Sequence, residues 1–365
     1  MLTPFIGLAT VGLNLGLSPL SLAKGSPMLR RFILACFVLV GTLSLAQADV
    51  FNMGPHVTSL ETVHVGDPGN VADTTGYGSV EYTYKIGKYE VTAAQYTEFL
   101  NAVAGVDIYA LYNSGMSNTS YGSGIVRNGD GTLVNPYTYI VSNEFSNRPI
   151  NHVSFWNACR FCNWLHNGQP TGAQDLGTTE TGAYTLNGYT GSDGRTIQRT
   201  ALATWVIPTE DEWYKAAYYK GGGIDTGYWD YPTSSDSEPG YDLTDASGNN
   251  ANYNELGKYT TAVGEFQASG SPYGTFDQGG NVWEWNEAVV LVDSDYSTRG
   301  LRGGLWYGPS LNLHASVRDY SYPSGESVDF PYLGFRVVMV PEPSTIILSI
   351  VAALCSAAFL AKRRR

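Results

Sequence analysis

The sequence predicts a loop-rich α+β domain with few helices and short, twisted sheets, and three observations predict it. Gly 42, Tyr 26 and Trp 8 in 365 residues, with charged residues at only 15%, describe a chain of turns and aromatic contacts with few long charged helices. The helix signals are few and sharply capped. The strand candidates are short and lie between long Gly/Asn/Ser/Thr/Tyr stretches. A hydrophobic share of 43% is enough for one large core or two modest ones. The aromatic content excludes a disordered acidic chain.

The elements follow in order. Leu29-Arg30-Arg31, the apolar run Phe32–Leu45 and Ala46-Gln47-Ala48 form a basic n-region, an apolar h-region and a small-residue cleavage site. Residues 1–48 are therefore expected to be a signal region, starting naturally at Met28 and cut after Ala48. Residues 49–76 are polar and read as a linker or lead-in strand. Val80–Lys88, Leu301–Trp306 and Gly334–Met339 are strand candidates. Thr92-Ala93-Ala94-Gln95 is a capping box, followed by Tyr96, Phe99, Leu100 and Val103 at helical spacing. Ser154 caps a second helix whose Ala158, Cys162 and Leu165 share a face. Thr209 caps a third, with Glu212 at the third helical position and Trp213, Ala216 and Ala217 facing inward. Stretches 105–147, 167–203 and 221–250 read as loops, and loops of that length inside a domain are usually functional.

The chain ends Pro341-Glu342-Pro343, then a mostly apolar run over 344–361, then Lys362-Arg363-Arg364-Arg365. At about 1.5 Å per residue the run is about 27 Å long, close to a hydrocarbon core, with the basic cluster on the cytoplasmic side. In that order, triplet, helix and basic end resemble the PEP-CTERM sorting signal of exported bacterial proteins. The resemblance implies a membrane anchor over 341–365, an exosortase-type processing partner, and localisation at the cell envelope, cell surface or extracellular matrix. A plain tail anchor is the simpler alternative.

The two ends carry seven basic residues and no acids; the remainder holds 14 Lys/Arg against 33 Asp/Glu. A surface that negative repels phosphate backbones and argues against nucleic acid as a partner. It suits divalent cations or basic partners. Cys36 and Cys355 lie in the terminal apolar segments, so Cys159 and Cys162 alone remain in the body, and this is no disulfide scaffold.

Six segments in register carry a second resemblance: Ile86-Gly87-Lys88-Tyr89-Glu90-Val91-Thr92, Arg148-Pro149-Ile150-Asn151-His152-Val153-Ser154, Ile207-Pro208-Thr209-Glu210-Asp211-Glu212-Trp213, Gly280-Asn281-Val282-Trp283-Glu284-Trp285, Arg302-Gly303-Gly304-Leu305-Trp306 and Gly334-Phe335-Arg336. Together they resemble the formylglycine-generating enzyme, or sulfatase-modifying factor, family over residues 77–340. The resemblance implies that family's variant of the C-type-lectin fold. Most of these residues also have a structural reading. Trp283, Trp285 and Trp306 are large groups that burial suits. Arg318 and Arg336 suit pairing with buried carboxylates such as Glu212 or Glu284.

Hard cations need carboxylates and backbone carbonyls on a tight turn, and the segment from Asp277 to Glu284 supplies both. The resemblance implies calcium on residues matching Asp277, Gly280, Val282 and Glu284. The alternative is a salt-bridged turn. A second family calcium site would fall at Asn252 and the Tyr253 carbonyl, a poorer match because the chain is shortened around Glu255 and Gly257.

The family's oxidase chemistry needs a copper-binding cysteine pair, since thiolates suit Cu(I). The matching positions here are Gly308 and Leu313, which cannot ligate copper through their side chains, so copper is not expected. Cys159 and Cys162 share a helix face and read as buried small hydrophobes, with a redox dithiol as the alternative. His152, His166 and His314 form a further metal option only if they converge.

The sequence thus points to an exported, calcium-stabilised binding module that has lost the copper site. Candidate ligand contacts are Trp306, Tyr307, Asn312, His314, Arg318 and Tyr320, with an extracellular polysaccharide or a surface protein as ligand. The alternative function is an oxidoreductase of the same superfamily with a different metal site.

Overall fold

The computed structural model describes residues 59–254, 259–324 and 330–341. The expected signal region, the expected sorting signal beyond Pro341 and the positions Glu255 and Gly257 lie outside these residues. No helix among the described residues is long and apolar enough to cross a membrane.

The order of elements is β1 (Thr62–Val65), β2 (Tyr84–Gly87), α1 (Ala93–Val103), β3 (Ile125–Asn128), β4 (Thr138–Val141), the single turn α2 (Asn143–Ser146) and α3 (Phe155–His166). Then come β5 (Trp205–Val206), α4 (Glu210–Tyr218), β6 (Trp283–Val292), β7 (Ser297–Arg302), β8 (Asp319–Ser321), β9 (Leu333–Gly334) and β10 (Val338–Met339). The strands form three small sheets: β1-β2-β10-β5, the hairpin β3-β4, and β8-β7-β6-β9. All pairings are antiparallel except β6 with β9.

All three expected caps are present. In α1 the Gln95 N–H donates to Thr92 Oγ1 at 3.2 Å while the Thr92 N–H donates to Gln95 Oε1 at 3.0 Å. In α3 the Asn157 N–H donates to Ser154 Oγ at 3.1 Å. In α4 the Glu212 N–H donates to Thr209 Oγ1 at 3.1 Å and the Thr209 N–H to Glu212 Oε2 at 2.7 Å. Each satisfies donors that the first helical turn leaves unpaired.

The helices α1 and α3 bury one aromatic cluster. Phe161 lies 5.4 Å from Phe99 and 5.4 Å from Phe335, ring centre to ring centre, and stacks on Tyr96 at 6.0 Å. Phe335 sits where the chain crosses from β9 in one sheet to β10 in another, so one residue ties both helices to that crossing. Edge-to-face pairs of this kind add to burial about 0.5–1.5 kcal/mol each.

Some boundaries differ from the sequence reading. The expected strand Leu301–Trp306 ends at Arg302, because Gly303 and Gly304 turn away with φ of 99° and 84°. The expected strand Gly334–Met339 divides into β9 and β10, which belong to different sheets. The stretch 105–147 contains the β3-β4 hairpin and α2. The segment expected as linker or lead-in strand supplies β1, an edge strand paired with β2.

Candidate functional site

The segment expected to bind calcium forms a turn entering β6. Asp277 adopts φ 60° and Gly280 φ 84°. A Cβ at Gly280 would lie 2.0 Å from the Asn252 carbonyl oxygen, so only glycine fits. The Asn281 N–H donates to that same carbonyl at 2.9 Å. The side chain of Asn252 donates to the Tyr259 carbonyl at 2.9 Å and to Asn281 Oδ1 at 3.1 Å, and its carbonyl is taken by the turn. Asn252 therefore works as a clamp on the turn.

Glu284 and Arg336 are both fully buried and form a two-pronged ion pair. Trp213 Nε1 donates to Glu284 Oε2 at 2.7 Å. Arg336 also donates to the Gly87 carbonyl at 3.0 Å and the Phe276 carbonyl at 2.9 Å. The salt-bridged turn expected as the alternative is therefore present. The other anticipated pairings divide differently: Arg318 meets Glu210 at 2.6 Å, alongside Arg302, and Glu212 is held by Arg199 at 2.9 Å.

Beside this pair lie two further carboxyl groups, those of Glu90 and Asp277. Glu90 is buried, and neither of its carboxylate oxygens has a hydrogen-bond partner. Burial, then the nearby Asp277 and Glu284 charges, push its carboxyl well above the usual range. Asp277, its Oδ2 accepting from the Gly264 N–H, is pushed up to about 6, chiefly by burial. Three acids thus share the single positive charge of Arg336. In the sequence Glu90 stands only within a family motif; its unpaired state is visible only in three dimensions. The carboxylate groups alone do not converge on a metal-sized centre, since no group of three or more His, Cys, Asp or Glu does so among the described residues.

The positions matching the copper ligands are filled by packing. Leu313 is fully buried and packs with Ala251 and Tyr253. A Cβ on Gly304 would touch its Cδ1 at 3.0 Å. Gly308 is buried, and its carbonyl accepts from the Asn254 N–H at 3.0 Å. The thiols of Cys159 and Cys162 are fully buried in α3, and burial pushes both well above the ordinary thiol range. His152, His166 and His314 do not gather: His166 Nδ1 meets Thr204 at 2.8 Å, and His314 meets Ser316 at 2.8 Å.

The expected ligand contacts are scattered. Trp306 is buried, packed at 5.1 Å against the exposed Tyr307. Arg318 is committed to Glu210, and Tyr320 stands exposed on β8. Asn312 and His314 are half-buried in the loop around Leu313.

A cavity of about 580 Å³ lies elsewhere. It is lined by the loop from Ile108 to Asn113, the first turns of α3, residues 190–192, and Ser324. The sequence marked 105–147 and 167–203 as functional-length loops, and that was the only signal of it.

Fold and site together define a loop-rich α+β domain stitched by buried Arg–carboxylate pairs, with no exposed thiol among the described residues. The chain belongs to the family described as the sulfatase-modifying factor enzyme 1-like domain, which matches residues 73–340. Among solved structures it is similar to CarF, at 20% identity and TM-score 0.47, over 78% of this chain and 99% of that one. It is also similar to Treponema denticola variable protein 1, at 20% identity and TM-score 0.46, over 78% of this chain and 96% of that one. PvdO from Pseudomonas aeruginosa matches at 16% identity and TM-score 0.40, over 77% of this chain and 92% of that one. No curated protein matches the chain.

Proposed function

We propose that this protein is a non-catalytic binding module built on the sulfatase-modifying factor scaffold. One observation carries the reading: at the positions of the family's copper-binding cysteines stand Gly308 and the fully buried Leu313, whose side chain fills a core cluster. Thiolate ligation of Cu(I) is impossible there. The described thiols that do exist are buried in the core along α3.

Calcium is the cofactor of this reading. Glu90, with two buried unpaired oxygens, and Asp277 fit a divalent cation, because an uncompensated buried carboxylate is strongly disfavoured. The Gly280 and Val282 carbonyls would complete the hard-oxygen set. Glu284, already engaged by Arg336 and Trp213, would contribute charge more than coordination. The cation would stabilise the turn entering β6 and perform no chemistry. The terminal segments of the sequence support export, processing by an exosortase-type enzyme and membrane attachment of the C-terminal run, placing the module at the cell envelope or matrix.

Metal analysis of the purified full-length protein tests this. Calcium without copper or iron supports a binding module. Copper or iron at one equivalent supports the rival oxidoreductase and overturns it.

A further inference from the structure

The cavity of about 580 Å³ is within the size range of small-ligand sites. Among the described residues its wall is uncharged in effect. Arg160 is the one Lys, Arg, Asp or Glu among the described residues that line it, and it is spent: Nε and Nη2 donate to Glu180 at 2.7 and 3.1 Å, and both side chains are buried. An ionic ligand would lose its hydration and find no free countercharge. A wholly apolar ligand is equally ill-matched, because the wall carries the hydroxyls of Ser154, Thr190, Ser192 and Ser324 and the amide of Asn113.

These groups are held in place. Asp107 accepts from the Leu111 and Tyr112 N–H groups at 2.8 and 3.0 Å, pinning the loop. Asn157 Nδ2 donates to the Ala110 carbonyl at 2.8 Å, and Trp156 Nε1 to the Gly191 carbonyl at 2.8 Å. The ring of Tyr109 lies 4.4 Å from the Arg160 guanidinium, which fixes one of its faces. Ser324 Oγ is the independent sign of a missing partner. The residue is only 6% exposed, lines the cavity, and its hydroxyl has no hydrogen-bond partner. Buried hydroxyls in that state are uncommon unless a ligand or water completes them.

We propose that this cavity binds a neutral saccharide through the ring of Tyr109 and the polar groups of Asn113, Ser154, Ser192 and Ser324. Hydroxyls both donate and accept, as sugar hydroxyls do, and aromatic rings cover the apolar face of a pyranose. A peptide is the poorer match. None of the lining residues belongs to a strand, so no sheet edge is available for main-chain pairing. The proposal rests on the binding-module reading and gives that module its ligand class.

The test exposes the full-length protein to an array of immobilised neutral oligosaccharides, acidic (sulfated and carboxylated) oligosaccharides and short unmodified peptides. Retention on neutral sugars is expected. Asn113→Asp, which keeps the side-chain oxygen that accepts from the Gly115 N–H, should weaken it at least tenfold. Tyr109→Ala and the cavity-filling Ser324→Leu should do the same, with Leu133→Ser on the hairpin tip as an unaffected control. Unchanged thermal melting of each variant separates ligand loss from misfolding. Preferential binding of acidic sugars or peptides, no binding to any neutral sugar, or a loss in Tyr307→Ala without one in Asn113→Asp would each overturn the proposal. Absence of saccharide binding in a protein that also lacks copper leaves the binding-module reading standing. Copper-dependent oxidase activity removes that reading whatever the array shows.

Discussion

Arg336 and Glu284 meet through two parallel hydrogen bonds, Nε to Oε2 and Nη2 to Oε1, both 2.6 Å long and both fully buried. Arg336 follows β9 and precedes β10, while Glu284 is the second residue of β6, so the pair sits where two sheets join. Removing one partner leaves a buried charge without compensation, at a cost of about 3–5 kcal/mol. Arg336→Met should lower the unfolding free energy measured in urea by that amount or prevent folding. Arg336→Lys should also destabilise, because an ammonium cannot reproduce the planar fork.

Glu90 supplies the test of the calcium site. Because its oxygens have no partner, Glu90→Gln should raise the melting temperature of calcium-free protein. The same change should shrink the stabilisation that calcium gives the unaltered protein, about 2.7 kcal/mol at a hundredfold excess over Kd. Thermal melting with calcium and with a chelator checks both. A calcium shift of equal size in Glu90→Gln contradicts the assignment.

His166 gives a pH dependence with a definite sign. Burial holds its imidazole below the ordinary value of 6.5, and Nδ1 accepts from the Thr204 N–H at 3.3 Å, a bond that protonation would destroy. The unfolded chain takes up this proton first. The stability this group contributes is therefore steady above about pH 7 and is lost as pH drops through 6.5, against the opposite contribution of Asp277, whose raised carboxyl takes up its proton in the folded chain first. Relative to the unaltered protein, His166→Gln should lose less unfolding free energy, or gain more, between pH 7 and 5.5 in urea titrations.

Gly280→Ala should be strongly destabilising. The new methyl would overlap the Asn252 carbonyl oxygen, at a residue whose φ of 84° L side chains rarely adopt. Backbone strain alone costs about 1–3 kcal/mol. Calorimetry should show a lower melting temperature, and the calcium-induced shift should fall with it.

How much was legible depended on sequence distance. The caps Thr92, Ser154 and Thr209 act on residues three positions away, so they could be read directly and are all present. The burial of Trp283, Trp285 and Trp306 followed from size and polarity. The Arg336 pair was legible as a type of interaction, but Arg318 goes to Glu210, which lies 108 residues away in sequence. β6, at ten residues the longest strand described, was read only as part of a motif. Its inner half is buried on both faces, so the alternation of Trp283-Glu284-Trp285-Asn286 does not separate a core face from a solvent face. Glu90 and the cavity eluded the sequence because their significance lies in what surrounds them. Both are assembled by loops whose contacts have no periodicity.

The central claim is that this scaffold has no copper chemistry. Dioxygen uptake by the full-length protein, supplied with Cu(I) and a cysteine-containing peptide, measures it directly. Uptake no faster than that of the peptide with copper alone is the predicted result. Protein-dependent uptake, with the peptide cysteine converted to an aldehyde, would contradict it.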